Sequence, residues 1–224
     1  MSTPPKEAAQ AYFSARFTPD PNRADLWRHL TAYLARFVPK GAAVLELGAG
    51  YCFFINQVPA ARRVAVDAGP QVRSAAAPGV EVHEGDALTY LRDAPPAQFD
   101  FVLASNFLEH LDWRDLDTLL PLLFRVLRPG GRVAVIQPNF RFASRRYFDD
   151  YTHRTVFSDV SMRDWLMSGG FTISLETPRF LPLTVKSRLG SFAFLVPLYL
   201  RMPWRPFAGQ MFVLAERPVR EDPI

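Results

Sequence analysis

The chain has 224 residues, 49% hydrophobic and 21% charged, with a net charge of +4. That composition excludes a disordered tail, a collagen-like repeat and a small scaffold that needs covalent staples. Cys52 is the lone cysteine, which excludes an intramolecular disulfide framework and a cysteine-based zinc cluster; His29, His83, His110 and His153 are scattered without metal-ligand spacing, so no metal is expected. Residues 1–40 read as an amphipathic helical cap: Leu26, Leu30, Tyr33, Leu34 and Phe37 recur at helical spacing, and Pro39-Lys40-Gly41 ends the run. From 41 to 137, apolar runs at 43–47, 64–66, 80–83, 99–104 and 132–137 alternate with helices expected near 52–58, 70–77, 87–93 and 112–127. Fully apolar strands alternating with helices predict a parallel sheet covered on both faces. In 138–224, a loop rich in Arg, Tyr and Asp leads to a helix near 160–168 closed by Gly169-Gly170. A strand at 171–177, an insert at 178–209 and a last strand at 210–216 follow, and 1–224 reads as one domain.

The chemistry-bearing residues stand after the strands. Glu46-Leu47-Gly48-Ala49-Gly50 closes the first strand with two glycines, which allow a tight turn and close approach of backbone to a ligand. In an open α/β sheet, ligands bind outside the carboxyl ends of the strands. Asp67-Ala68 ends the second strand, 17 residues past Gly50, where a carboxylate can accept from both hydroxyls of a ribose or cap the next helix. Asp86-Ala87 ends the third, where the pair can read an adenine edge or again form a cap. Ser105-Asn106 ends the fourth, and Leu127-Arg128-Pro129-Gly130-Gly131 precedes the fifth.

These segments resemble the class I S-adenosylmethionine-dependent methyltransferases. The resemblance rests on E-L-G-A-G (46–50), V-D (66–67), G-D-A (85–87), F-D-F-V-L-A-S-N-F-L-E-H-L (99–111) and L-R-P-G-G (127–131). The E-H-L and P-G-G segments are similar to the branch called type 11. The resemblance implies a Rossmann-like, mostly parallel seven-stranded sheet with an antiparallel last strand, and S-adenosylmethionine as cofactor. It implies cofactor contacts at Glu46, Gly48, Ala49, Gly50, Asp67, Ala68, Asp86, Ala87, Ser105 and Asn106, with Glu46 near the cationic amino end. The chain departs from the family at Cys52, where the third glycine of the loop stands. A nicotinamide enzyme is disfavoured, because Cys52 crowds a pyrophosphate and Glu46 repels it. R-F (16–17), W-R-H-L (27–30), G-A-G-Y-C-F-F-I-N (48–56), Q-P-N (137–139), R-F-L-P-L-T-V-K-S (179–187), L-Y-L-R (198–201) and G-Q (209–210) resemble a bacterial subgroup associated with cell-surface polysaccharide or lipid-linked sugar biosynthesis.

The expected activity is methyl transfer to a hydroxyl of a small-molecule or glycan acceptor. A non-catalytic subunit using the same fold is the alternative. Methyl transfer from a sulfonium needs alignment, and a hydroxyl acceptor also needs a base. His153, oriented by Asp150, and His110 are the candidate bases; each also reads as a packing or capping residue. Asn139, Tyr147, Asp149 and Tyr151 are candidate acceptor contacts, since aromatics stack on a sugar ring and carboxylates accept its hydroxyls. Tyr12, Phe13, Arg16 and Phe17 are candidate lid residues, and Arg141, Arg145 and Arg146 a candidate phosphate contact. The insert carries Arg179, Lys186, Arg188, Arg201 and Arg205, no acid, and an apolar centre broken by Pro197. It reads as a structural cap, an anion site or a peripheral contact with the inner face of a membrane; nucleic acid is not expected. The N-terminal segment is polar and no run reaches a span of about 18 apolar residues, so a cytoplasmic setting is expected.

Overall fold

A computed structural model describes residues 21–183 and 194–219. One seven-stranded sheet organises them, in the order β3-β2-β1-β4-β5-β7-β6. The strands are β1 (Ala43–Leu47), β2 (Arg62–Asp67), β3 (Val80–Glu84), β4 (Phe99–Ser105), β5 (Leu127–Pro138), β6 (Thr172–Pro182) and β7 (Ala208–Glu216). β1 to β5 pair in parallel, while β7 lies antiparallel between β5 and β6. β6 therefore runs parallel to β5, and its Pro178–Pro182 end shares the carboxyl edge of the sheet. The class I methyltransferase fold expected from the sequence is the fold observed.

Alternation along the strands sends side chains into two cores, because successive residues face opposite sides. On one side Leu45, Val64, Val102, Val133 and Val213 meet α3 (Ala87–Asp93), α4 (Trp113–Val126) and α6 (Asp159–Ser168). On the other, Val44, Ala65, Leu103, Ala134 and Phe212 meet α1 (Pro21–Leu34), α2 (Gln71–Ala75) and α7 (Val196–Arg201). The helical part of the N-terminal cap thus lies against the second face, where α1 also packs on α7. Asp112 caps α4 through the N–H groups of Arg114 and Asp115, and Ser158 caps α6 in a reciprocal pair with Ser161. Gly169 and Gly170, the latter at φ +87°, end α6 as the sequence predicts.

Three expectations fail. No helix forms over 52–58; the segment is a series of turns. The Ile55 N–H donates to the Glu46 carboxylate (3.0 Å) instead of to a helical carbonyl, and Cys52 sits at φ +57°. β6 runs on to Pro182 and β7 starts at Ala208, so the insert contributes to both strands of its own hairpin. Pro197 does not break the insert but stands in the first turn of α7, where its missing N–H costs nothing. Tyr12, Phe13, Arg16, Phe17, Lys186 and Arg188 lie outside the described residues. The β3 end of the sheet is polar: Arg62 holds Glu81 with two bonds (2.9 and 2.8 Å), and Arg73 pairs with Glu84.

Candidate active site

Apart from Thr31, the buried polar side chains of the described residues are Glu46, Asp67, Glu109, Gln137, Asn139, Asp150, Thr155, Asp159 and Gln210. All lie at the carboxyl ends of the parallel strands, in the segments that follow, or at the antiparallel start of β7. Buried polar groups need partners or a ligand, so this edge of the sheet is where chemistry is built.

At β1 the chain turns through Gly48 (φ +68°) and Gly50 (φ +52°). A Cβ on Gly48 would come within 2.8 Å of the Phe107 ring, whereas at Gly50 it would meet nothing within 4 Å, so that backbone borders open space. The Asp67 carboxylate accepts from the Gly50 N–H (2.8 Å) and the Gly69 N–H (2.7 Å), which ties the first loop to the second. Asp67 does not cap α2, a place held by Pro70, and burial raises its pKa against those two bonds. Ala68 beside it is exposed. Burial pushes the Glu46 carboxyl up to about 8, against the Ile55 N–H, and Asp67 adds to the rise. Among the described residues no cationic group offsets these two buried acids, an arrangement that a bound cation relieves and a phosphate does not. Cys52 is fully buried, and burial, with Glu46 and Asp67 adding, pushes its thiol up to about 12.

Asp86 caps α3, accepting from the Thr89 N–H (2.8 Å) and hydroxyl (3.0 Å), and remains exposed while Ala87 is buried. Asn106 adopts φ +49°, gives its amide to the Ser105 hydroxyl (3.4 Å) and accepts from the Gln210 amide (3.1 Å). That last bond joins the β4 loop to β7 across the carboxyl edge.

The β4 and β5 loops are stitched together. The Glu109 carbonyl accepts from the Arg154 and Thr155 N–H groups (2.8 and 3.2 Å), and the Thr155 hydroxyl donates to the Leu111 carbonyl (2.6 Å). His110 and His153, far apart in sequence, come to 5.1 Å between ring centroids. The Asp150 carboxylate reaches His110 through Thr152: the Thr152 hydroxyl donates to Asp150 (2.6 Å) and lies 3.0 Å from His110 Nδ1. The contact between Thr152 and His110 Nδ1 places the ring at one end of a chain that begins at the Asp150 carboxylate. Glu109 is fully buried and neither carboxylate oxygen has a hydrogen-bond partner among the described residues. Burial pushes its carboxyl up to about 8, and Asp150 adds to the rise.

Two expected acceptor contacts are structural. Asn139 is fully buried, caps the short helix α5 (Phe140–Ala143) and donates to Asp159 (2.9 Å) and the Pro178 carbonyl (3.0 Å), so its amide faces no ligand. Tyr147 is also fully buried, donates its hydroxyl to the Thr155 carbonyl (2.6 Å) and packs on His153 at 4.7 Å, so no sugar can stack on it. Asp149 pairs with Arg146, while Phe148 and Tyr151 present their rings to solvent. Arg141 pairs with the buried Asp159 (2.9 Å). Sequence reasoning missed Glu109 as a functional candidate, because E-H-L served only as a motif and its burial depends on the β5 loop.

A cleft of about 610 Å³ opens at the same edge beside β6, lined by Arg141, Phe142, Arg179, Arg201 and Arg205 among others. Arg179 stacks over the Phe142 ring at 4.2 Å, and Arg205 is braced on the Arg179 and Leu200 carbonyls (3.2 and 2.6 Å). Four guanidinium groups line it with no acid among the lining residues, Arg141 being the one already paired with Asp159.

Residues 45–135 match a family described as methyltransferase domain. That match spans less than half of the chain. A trans-aconitate 2-methyltransferase of Azoarcus sp. (strain BH72) is 36% identical over 122 residues, 51% of this chain. The chain spans 44% of that relative's length. Among solved structures, an S-adenosylmethionine-dependent methyltransferase of Archaeoglobus fulgidus superposes with a TM-score of 0.63 at 22% identity, covering 84% of this chain and 94% of that one. A Haloferax volcanii methyltransferase solved with the Trm112 activator gives a TM-score of 0.68 at 15% identity, covering 96% and 97%. The matched segment runs from β1 to β5 and so includes the glycine turn, Glu46 and Asp67. S-adenosylmethionine, a sulfonium with a cationic amino end, suits that donor set. Among the described residues no helix is long and apolar enough to cross a membrane.

Proposed function

We propose that the protein transfers the methyl group of S-adenosylmethionine to a hydroxyl of an anionic small-molecule or glycan acceptor, a lipid-linked sugar phosphate being the first class to try. The buried Glu46 carboxyl beside the Gly48–Gly50 turn and Asp67 carries the reading, since a cation placed there is stabilised by its ionised form whereas a pyrophosphate would hold it neutral. Glu46 holds the cofactor's amino end, and Asp67 its ribose. Asp86 and Ala87 face the adenine, and Gly48, Ala49, Gly50, Ala68, Ser105 and Asn106 complete the contact. The cofactor supplies an activated methyl carbon, so the chain's own task is to align the acceptor oxygen and take up its proton. In the metal-free chain His110, which meets Asp150 through Thr152, and His153 are the bases that take that proton.

The acceptor's anionic group is supported by the arginine cleft, which binds phosphate or carboxylate alike. The relative's name specifies a polycarboxylate acceptor, which carries the same charge. A lipid-linked phosphate is favoured here because Phe194, Leu198, Trp204 and Phe207 stand exposed beside Arg201 and Arg205, an arrangement that suits an anionic membrane surface. Asp149 and Tyr151 flank the acceptor.

Calorimetric titration with S-adenosylmethionine, with Asp67→Ala as control, tests the cofactor site; micromolar binding lost in the control is expected, and no binding by the folded protein sinks the reading. Methyl transfer from labelled cofactor to polyprenyl-phosphate sugars, sugar phosphates and small polycarboxylates then sorts the acceptors. Sedimentation with phosphatidylglycerol vesicles, reduced by Trp204→Ser/Phe207→Ser, separates the lipid-linked class from the other two.

A further inference from the structure

We propose that Glu109, His110 and His153 form a divalent transition-metal site. One ligand atom from each lies within 4.8 Å of the other two, close enough for a single ion to bridge all three after small rotations. Both oxygens of Glu109 are buried without a hydrogen-bond partner among the described residues, which no structural role of a carboxylate explains. A metal ion in the cluster would supply the missing partner.

The surrounding shell is already built. Arg154 and Thr155 N–H groups hold the Glu109 carbonyl, and this fixes the β4 loop against the segment that carries His153. The Tyr147 ring packs on His153 at 4.7 Å and confines its rotation. His110 is oriented through Thr152 by the buried Asp150, the carboxylate-to-histidine arrangement that sets the tautomer of a ligating imidazole, here with one hydroxyl interposed. Asp150 also adds negative charge that favours a cation. Two imidazoles and one carboxylate select zinc, cobalt or nickel over calcium and magnesium, which prefer all-oxygen shells. Three protein ligands leave a position for an outside oxygen. The cluster follows the carboxyl ends of β4 and β5, where an acceptor oxygen would take that position. Only this placement of the open position as the acceptor's rests on the methyl transfer proposed above; metal binding stands without it.

The test uses tag-free, chelator-stripped protein titrated with Zn²⁺ by calorimetry and with Co²⁺ by visible absorption. One equivalent with the intense ligand-field bands of a low-coordinate Co²⁺ site is expected. His153→Ala and Glu109→Gln abolish it, and Thr152→Val, which leaves all three ligands in place, weakens Zn²⁺ binding about 10- to 100-fold. Cys52→Ser and His83→Gln leave it unchanged. Far-ultraviolet circular dichroism confirms that each variant is folded, and the half-buried His153 site supplies the decisive variant if Glu109→Gln does not fold. Failure to bind either ion saturably, or binding unchanged in folded His153→Ala, overturns the proposal. Titration with S-adenosylmethionine is read separately, so loss of one reading leaves the other intact.

Discussion

With the cofactor's amino end placed at Glu46 as proposed, its binding is coupled to a proton. The Glu46 carboxyl, raised to about 8, is mostly protonated at pH 7, and a cation placed beside it favours the ionised form. Binding of S-adenosylmethionine at pH 7 is therefore expected to release about one proton per cofactor, read as a dependence of calorimetric enthalpy on buffer ionisation. Glu46→Gln is expected to bind at least about tenfold more weakly and to release none. Cys52 illustrates a different constraint. Its φ of +57° is where glycine is normally found, and its place in the loop is the family's glycine. Full burial and a thiol held up to about 12 leave it unreactive. Iodoacetamide at pH 8 should leave the native protein unlabelled and label it fully in denaturant; labelling of the native chain would mean that the turn opens.

At the scale of elements, the scaffold behind the β5 loop hangs on Asn139. It caps α5, holds Asp159 at the start of α6 and reaches the Pro178 carbonyl of β6. Asn139→Ala would leave a buried carboxylate served by Arg141 alone. A loss of about 2–3 kcal/mol in denaturant unfolding is expected, with cofactor affinity unchanged, because β1 and β2 are untouched. The elements divide by legibility on the same grounds. β1, β4 and the end of β5 were plain in the sequence because each is buried on both faces, and α4 because Asp112 marks its start. The 52–58 segment misled because its residues suit a helix, while a carboxylate nine positions earlier takes the N–H of Ile55. Asn139 and Tyr147 misled because polar and aromatic residues on a loop look available until the fold buries them. The pairing of His110 with His153 was illegible: it depends on two loops meeting across strand ends, and linear spacing carries no trace of that.

At the scale of the whole molecule, stability is tied to pH through Glu46. The unfolded carboxyl titrates near its ordinary value of 4.5 and the folded one at about 8, so the unfolded state holds fewer protons between them. Stability contributed by the protonated form is present below about pH 4.5 and is lost as pH rises through 8. Glu109, raised to the same value, and Asp67, also raised, act in the same direction, whereas Glu81 and Asp112, both lowered, penalise acid. The cofactor-free protein should be most stable near pH 5 and lose a few kcal/mol by pH 8. Glu46→Gln should reduce that slope and leave the part due to Glu109, and urea unfolding at a series of pH values measures both.

The polar β3 end of the sheet has its own consequence. An edge strand offers unpaired backbone to any other extended chain, and β3 is short, with no fully buried residue. A foreign strand laid along it would have to strip water from the Arg62–Glu81 and Arg73–Glu84 pairs, with only the half-buried Val80 and Val82 to gain. The fold thus guards the flank nearest its cofactor loops against runaway sheet growth.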